Sequence, residues 1–185
     1  MRRNKIPLSS FRPKSSDNIL LDTNILLRLF YPIDYESVTD EYETLFAELL
    51  KEKSQLLITS IQISEFINRC IRIQFGLYQN DINNHTLEFK KDYRSTSDYH
   101  EKMNAILDIV KTDIADKFVF VDDGFSQMNS KNIFLYGFSY DFNDALLVEV
   151  ARQNKAILIT DDADYANYKT DIQIVTRNKF LLMSH

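Results

Sequence analysis

Asn18-Ile19-Leu20-Leu21-Asp22-Thr23-Asn24-Ile25 runs from a short apolar segment, through a carboxylate, straight into a helical pattern. An apolar run of this length, bounded by polar residues, predicts a buried strand, Ile19–Asp22. Asp, Thr and Asn all cap helices, and the apolar spacing that follows predicts a helix Thr23–Tyr31, stopped by Pro32. A strand feeding a helix is the repeating unit of a parallel α/β sheet.

The same grammar recurs along the chain. Leu56–Thr59 reads as a second strand, followed by Ser60 as an N-cap for a helix Ile61–Phe75 that Gly76 would end. Phe118–Val121, Ala156–Thr160 and Ile172–Val175 read as three further strands. Apolar residues spaced at three to four predict helices at Val38–Leu50, from Ser97 onward, at Gly124–Tyr136 and at Tyr140–Asn154, with one or two turns at Asp162–Tyr168. Alternating strands and helices indicate a central parallel sheet covered on both faces. Residues 18–185 are therefore expected to form one domain. Residues 1–17, with four Arg or Lys besides Lys14, are expected to be a polar arm, solvated or touching a phosphate backbone.

Composition excludes several classes. With 185 residues and 44% apolar content the chain can build a proper core. Three Gly and three Pro argue against fibre or disorder. The formal charge of -5 gives no bulk basic surface for nucleic acid, so a nucleic-acid partner would need a local surface or a bound cation. The lone Cys70 excludes an internal disulfide and a multi-cysteine zinc site, and it reads as core. His85, His100 and His185 lack metal-ligand spacing. The basic start carries no apolar stretch of secretory type, and no run is long enough to span a membrane, so a cytoplasmic protein is expected.

Four acids carry the functional signal: Asp22, Glu65, Asp144 and Asp162. Each has an ordinary explanation. Asp22 and Asp162 could cap turns, and Glu65 and Asp144 could be first-turn charges favoured by a helix dipole, with Asp141 the better cap of its helix. All four, however, fall at the carboxyl ends of strands or at helix starts facing that edge. Ligands bind at this edge of parallel sheets. A cluster of carboxylates repels itself unless a cation neutralises it, and all-oxygen sites suit Mg²⁺ or Mn²⁺.

In order and surroundings these segments resemble the PIN-domain family of metal-dependent ribonucleases. The resembling stretches are Ile19-Leu-Leu-Asp-Thr-Asn-Ile25, Thr59-Ser-Ile-Gln-Ile-Ser-Glu-Phe66, Phe142-Asn-Asp-Ala-Leu-Leu-Val-Glu-Val-Ala151 and Ile157-Leu-Ile-Thr-Asp-Asp-Ala-Asp-Tyr165. The resemblance implies a three-layer α/β/α sandwich. It implies that Asp22, Glu65 and Asp144 are the central acids, with Asp162 the fourth, more variable one and Thr160 a hydroxyl near the metal. Catalytic and metal-binding roles alike would fall on Asp22, Glu65, Asp144 and Asp162, and Thr23 or Asn24 would orient Asp22. Mg²⁺ or Mn²⁺ held there would serve endonucleolytic hydrolysis of RNA.

Two departures from the family pattern stand out. The stretch between Glu65 and Asp144 is long, which implies a helical insertion around residues 76–117. The residue before Asp162 is Asp161, where the family often has a basic side chain, so Asp161 or Asp164 could take the place of Asp162. A VapC-like toxin role implies a small antitoxin protein as partner and a homodimer. Phe75, Leu77, Tyr78, Phe89 and Tyr93 are candidate groove residues for such a partner, and core packing explains them equally well. The competing readings are a PIN-like module that binds RNA or protein without cleaving, and a phosphatase-type or phospho-acceptor enzyme. The latter lacks the Asp-x-Asp it would want at Asp22, since Asn24 stands there.

Overall fold

The computed structural model describes residues 4–31, 41–129, 131, 134, 141–167 and 171–184. Six strands among them form one sheet: β1 Lys5–Pro7, β2 Asn18–Leu21, β3 Gln55–Ile58, β4 Val119–Phe120, β5 Ile157–Ile159 and β6 Ile174–Thr176. The spatial order is β1-β6-β5-β2-β3-β4, and every pairing is parallel. The helices are α1 Thr23–Phe30, α2 Glu41–Glu52, α3 Ser60–Asp81, α4 Ser97–Ile109, α5 Phe142–Gln153 and α6 Lys179–Met183.

Strand residues sort by the period of two that a pleated strand imposes. Ile19, Leu21, Leu56, Ile58, Ile157, Ile159 and Val175 point into a core shared with Ile25, Tyr42, Leu49, Phe66 and Ile106 of α1–α4. Leu20, Leu57, Leu158 and Ile174 point the other way, to a core with Leu146, Val150 and Leu181 of α5 and α6. The expected three-layer α/β/α sandwich is what forms. Because both faces are covered, the strands read as continuous apolar runs rather than alternating ones.

All five expected strands are present with ends shifted by one or two residues. The polar arm needs correction. Residues 5–7 pair in register with Ile174, Val175 and Thr176, and Leu8 and Phe11 are buried. A three-residue edge strand carries too little apolar signal to be seen within a basic segment. The domain therefore starts upstream of residue 18.

Helix α3 runs past Gly76 to Asp81. A side chain at Gly76 would meet nothing within 4 Å, so this glycine sits on an open helix face instead of ending the helix. Its N-cap is Thr59 rather than Ser60, in a reciprocal capping box with Gln62. Within the expected helix Gly124–Tyr136 the described residues show a 3₁₀ turn, Phe125–Gln127, and a helical Lys131; residues 130, 132–133 and 135–136 lie outside the described residues. Val38 and Tyr140 do too.

The inserted stretch is helical, as expected. It comprises the end of α3, a π-helical turn Phe89–Tyr93, α4 and a second π-helical turn Val110–Ile114. Its rings knit together: Tyr93 stands 5.2 Å from Phe75, 5.0 Å from Tyr78 and 5.5 Å from Tyr99. Arg72 lies over Phe89 at 4.1 Å. Tyr93 is wholly buried, its hydroxyl donating to Asp98 Oδ2 at 2.7 Å. Four of the five candidate groove residues are thus packing residues; Leu77, 40% exposed, is the exception. No helix of the described residues is long and apolar enough to cross a membrane.

Candidate functional site

The sheet order places β2 between β3 and β5, so the chain leaves β2 in one direction for β3 and β4 and returns on the other side for β5 and β6. That reversal opens a crevice at the carboxyl ends of β2 and β5. Register then decides which side chains meet there. Leu21 pairs with Ile159, so the next residues, Asp22 and Thr160, fall side by side. The Asp22 N–H donates to Ile159 O at 2.9 Å.

Asp22 occupies the N-cap position of α1 yet makes no capping hydrogen bond. Its Oδ2 instead accepts the Thr160 hydroxyl at 2.6 Å. Only 7% of the residue is exposed. Burial pushes its pKa up to about 6, the Thr160 hydrogen bond opposes the rise, and the charges of Asp162 and Glu65 add to it.

Asp144 enters from the other side of the sheet, in the first turn of α5. The Asp141 carboxylate caps this helix, accepting the Asn143 N–H at 2.8 Å, which leaves Asp144 free of the capping role. The Tyr165 hydroxyl donates to Asp144 Oδ1 at 3.1 Å. Desolvation raises its pKa to about 8, with Asp22 the next contributor, then the opposing Tyr165 hydrogen bond, then Asp141 and Asp162. Two carboxyls held above their ordinary range at one crevice form a functional-site signature.

Glu65 reaches the same crevice from α3. The Thr23 hydroxyl donates to its Oε2 at 3.1 Å, and Arg69 Nη1 lies 3.8 Å from Oε1. Asp22, Thr23, Thr59, Gln62, Glu65, Asn143 and Asp144 line one cleft, floored by Leu146, Leu147 and Val150. Asp162 stands at its margin. Its backbone N–H donates to the Thr160 hydroxyl at 3.0 Å, and its Oδ1 accepts the Asp164 N–H at 2.9 Å, so it does cap the following turn. Thr160, with no exposed surface, thereby joins Asp22 and Asp162 through one oxygen.

Asp161 is engaged by partners from α2 and the end of β6. Its Oδ2 pairs with Arg177 Nε at 3.0 Å, and its Oδ1 accepts the Tyr42 hydroxyl at 3.0 Å. Tyr42 in turn accepts the Arg177 N–H at 3.2 Å, and the Arg177 guanidinium stands 5.1 Å from the Tyr42 ring centroid. Asp161 is thus anchored in a network that ties α2 to the end of β6, while the Asp162 charge acts on Asp22 and Asp144. Asp164 is exposed.

Other groups escaped sequence reasoning. Gln62 is buried and donates from Nε2 to Leu21 O at 2.6 Å, clamping α3 to the end of β2 beside Asp22. The polar Gln in Ile-Gln-Ile was the available signal, since a buried amide among isoleucines must find partners. Tyr165 offered no such signal, because an aromatic ring in an apolar setting reads as core. Thr23 reaches the Asp22 carboxyl through its backbone N–H while its side chain serves Glu65, and Asn24 Oδ1 is buried without a hydrogen-bond partner among the described residues.

The donor chemistry suits a hard divalent cation. Asp162 and Glu65 act on Asp22, Asp22 and Asp162 act on Asp144, and among the described residues no ion pair reaches Asp22 or Asp144. A closed ligand cage is not formed: among the described residues no group of three or more His, Cys, Asp or Glu is arranged to hold a metal ion.

A PIN domain family model matches residues 19–170. No curated protein sequence matches the chain. Among solved structures, the chain is similar to VapBC2 from Rickettsia felis, crystallised with a DNA fragment from its promoter. That match has 18% identity and a TM-score of 0.48, over 86% of this chain and 98% of that one. FitAcB from Neisseria gonorrhoeae is similar at 16% identity and TM-score 0.48, over 85% and 96% of the two chains. PAE2754 from Pyrobaculum aerophilum is similar at 16% and 0.43, over 91% and 94%.

Proposed function

The chain belongs to the PIN-domain family, and from that premise we propose that it is a metal-dependent endoribonuclease whose carboxylates Asp22, Glu65, Asp144 and Asp162 hold Mg²⁺ or Mn²⁺. The observation that carries this reading is the cleft at the sheet's switch point that Asp22, Glu65 and Asp144 line together, with no ion pair to Asp22 or Asp144 among the described residues; burial, which raises both of those carboxyls, agrees with it. Desolvated carboxylates without a cationic partner are costly in the isolated protein. A divalent cation would remove that cost.

Asp22 and Asp144 would supply the inner donors, with Glu65 and Asp162 completing the set from either side. When bound, the metal lowers the pKa of water and stabilises charge developing on a phosphodiester. The chain's own residues do the positioning. Thr160 holds the Asp22 carboxylate through Oδ2. Tyr165 holds Asp144 through Oδ1, and Thr23 holds Glu65 through Oε2. Gln62 fixes the spacing between the β2 end and α3. Such hydrogen bonds from outside the ligand set orient metal-binding carboxylates.

The direct test is hydrolysis of single-stranded RNA by purified protein in Mg²⁺ or Mn²⁺, against EDTA and against Asp144→Asn. Metal-dependent product lost in the variant is the expected result. Tight RNA binding with no product in either metal would establish a binding module instead. A toxin role with a small antitoxin partner, and a homodimer, belong to the same proposal. Growth arrest on expression, relieved by the neighbouring reading frame, tests the first; sedimentation of the free protein tests the second.

A further inference from the structure

Helix α3 carries one face that core packing does not use. Glu65, Arg69, Arg72 and Gly76 follow one another at spacings of four, three and four, so they stack along one side of the helix. Asn68, one turn before Arg72, lies beside them. The core side carries Phe66, Cys70 and Ile71 instead. This strip begins at the acidic cleft, which Ile61, Gln62 and Glu65 line from the first turns of α3. Gly76 then lies about 16 Å along the axis from Glu65, at 1.5 Å per residue.

Two arginines stand on the strip, and Asn68, Arg69 and Arg72 are all exposed. Arg69 keeps 49% of its side chain in water, and its one ion pair among the described residues is the long contact to Glu65 at 3.8 Å. Arg72 has no ion pair among the described residues; its guanidinium rests on the Phe89 ring, so the insertion walls one side of the strip and holds that cation in place. Gly76 is a second, independent observation. Glycine weakens a helix interior relative to alanine. No neighbour demands it here, since a Cβ would meet nothing within 4 Å. It leaves bare backbone on the strip, as the close approach of an outside group requires.

We propose that this face of α3 is a track for the sugar-phosphate backbone of an RNA strand, with Arg69 and Arg72 on the phosphates next to the one at the carboxylates and Gly76 giving the strand room to pass. The proposal rests on the nuclease reading above and adds where the strand runs. Guanidinium forks match phosphate oxygens with two parallel hydrogen bonds. The face carries no apolar side chain from Glu65 to Gly76, so it lacks the buried anchor on which the affinity of a protein partner centres. Cations placed beside the cleft supply the local attraction that a formal charge of -5 denies the chain as a whole.

The test titrates the full chain into a short fluorescein-labelled single-stranded RNA in Ca²⁺, over a series of KCl concentrations. Arg69→Gln and Arg72→Gln should each raise Kd roughly 2- to 5-fold, the worth of one exposed ion pair. Each should also flatten the dependence of log K on log salt by about 0.7, the share of one phosphate contact on a single strand. Arg72→Lys should keep the wild-type slope. Gly76→Leu should weaken binding while Tm holds or rises, a combination that a merely structural glycine would not give. Unchanged Kd and slope in the Arg69→Gln/Arg72→Gln double variant overturn the proposal. A lowered Tm in that variant with the slope intact overturns it too and assigns the arginines to packing. Loss of a co-expressed protein partner with RNA binding intact also overturns it and assigns the strip to a protein. Salt-dependent binding that the double variant loses, without any Mg²⁺- or Mn²⁺-dependent product, supports the track while overturning the nuclease reading. Metal-dependent cleavage with the slope unaltered in the double variant does the reverse.

Discussion

Replacing Asp22 with Asn should stabilise the metal-free protein at neutral to alkaline pH, a result opposite to that expected of an ordinary core substitution. The Asp22 carboxyl moves from its usual 3.8 to about 6 on folding. A carboxyl with a raised folded pKa binds its proton more tightly when folded. Its contribution is therefore fully favourable below about pH 4 and is lost as pH rises through 6. Two units at about 1.4 kcal/mol each amount to roughly 3 kcal/mol of lost stability above that pH. Asparagine is isosteric, carries no charge and can still accept the Thr160 hydroxyl. The charge-assisted part of that bond is already contained in the shift to about 6. The net gain is therefore about 3 kcal/mol, or roughly 6–12 °C in Tm for a chain of this size. Thermal unfolding in EDTA at pH 8 and pH 4 measures it. The gain should be present at pH 8 and vanish at pH 4, where the wild-type carboxyl is already protonated. Saturating Mg²⁺ should reverse the order at pH 8 by stabilising only the wild type. A variant less stable than wild type at both pH values would show that Asp22 serves packing and hydrogen bonding, not a cation.

Four further outcomes follow from the same geometry. Asp144→Asn should cut Mg²⁺-dependent cleavage at least 100-fold with an unchanged circular dichroism spectrum. That size is on the scale seen when a group stabilising the transition state is removed. Thr160→Val should destabilise the metal-free protein by about 1–3 kcal/mol, because it strips the hydroxyl that serves both Asp22 and the Asp162 N–H. That loss should grow with pH, as a chevron or melting series from pH 5 to 8 would read. Asp161→Asn should retain cleavage while lowering Tm, since Asp161 is engaged by Arg177 and Tyr42; loss of metal binding in this variant would place it among the ligands instead. Leu8→Ala should cost about 2–4 kcal/mol in denaturant titration, because Leu8, only 6% exposed, packs in the core from the segment that the sequence left outside the domain.

How much could be read in advance depended on how local the cause was. Strands β2, β3 and β5 were legible because burial on both faces makes them dense apolar runs, and each is followed at once by polar residues. The convergence of Asp22, Glu65 and Asp144 on one cleft followed from placing those runs side by side. Strand β1 was not legible, since its pairing with β6 depends on a partner about 170 residues away in a segment rich in Arg and Lys. Thr59 rather than Ser60 as the cap of α3 turned on one residue of backbone geometry, which hydroxyl chemistry alone cannot separate. The different partners of Asp161 and Asp162 needed the third dimension: of two identical neighbours, one pairs with Arg177 and Tyr42 and the other caps the following turn. Tyr165 stayed hidden because its ring satisfies the core while its hydroxyl does the orienting.

The edge strand has a consequence for how the protein behaves in a crowded cell. A parallel sheet normally presents two open rims, each a row of unpaired amides able to recruit another chain. Here β1 covers the amides of β6 and is itself only three residues long, ending in Pro7, which has no N–H to offer. The opposite rim is β4, only two residues long. Each rim is too short or too poor in donors to template a neighbour. The molecule therefore guards itself against edge-to-edge self-association by truncation at one end and by a proline-tipped cover at the other. Removing the first ten residues should cost it colloidal stability as well as folding free energy.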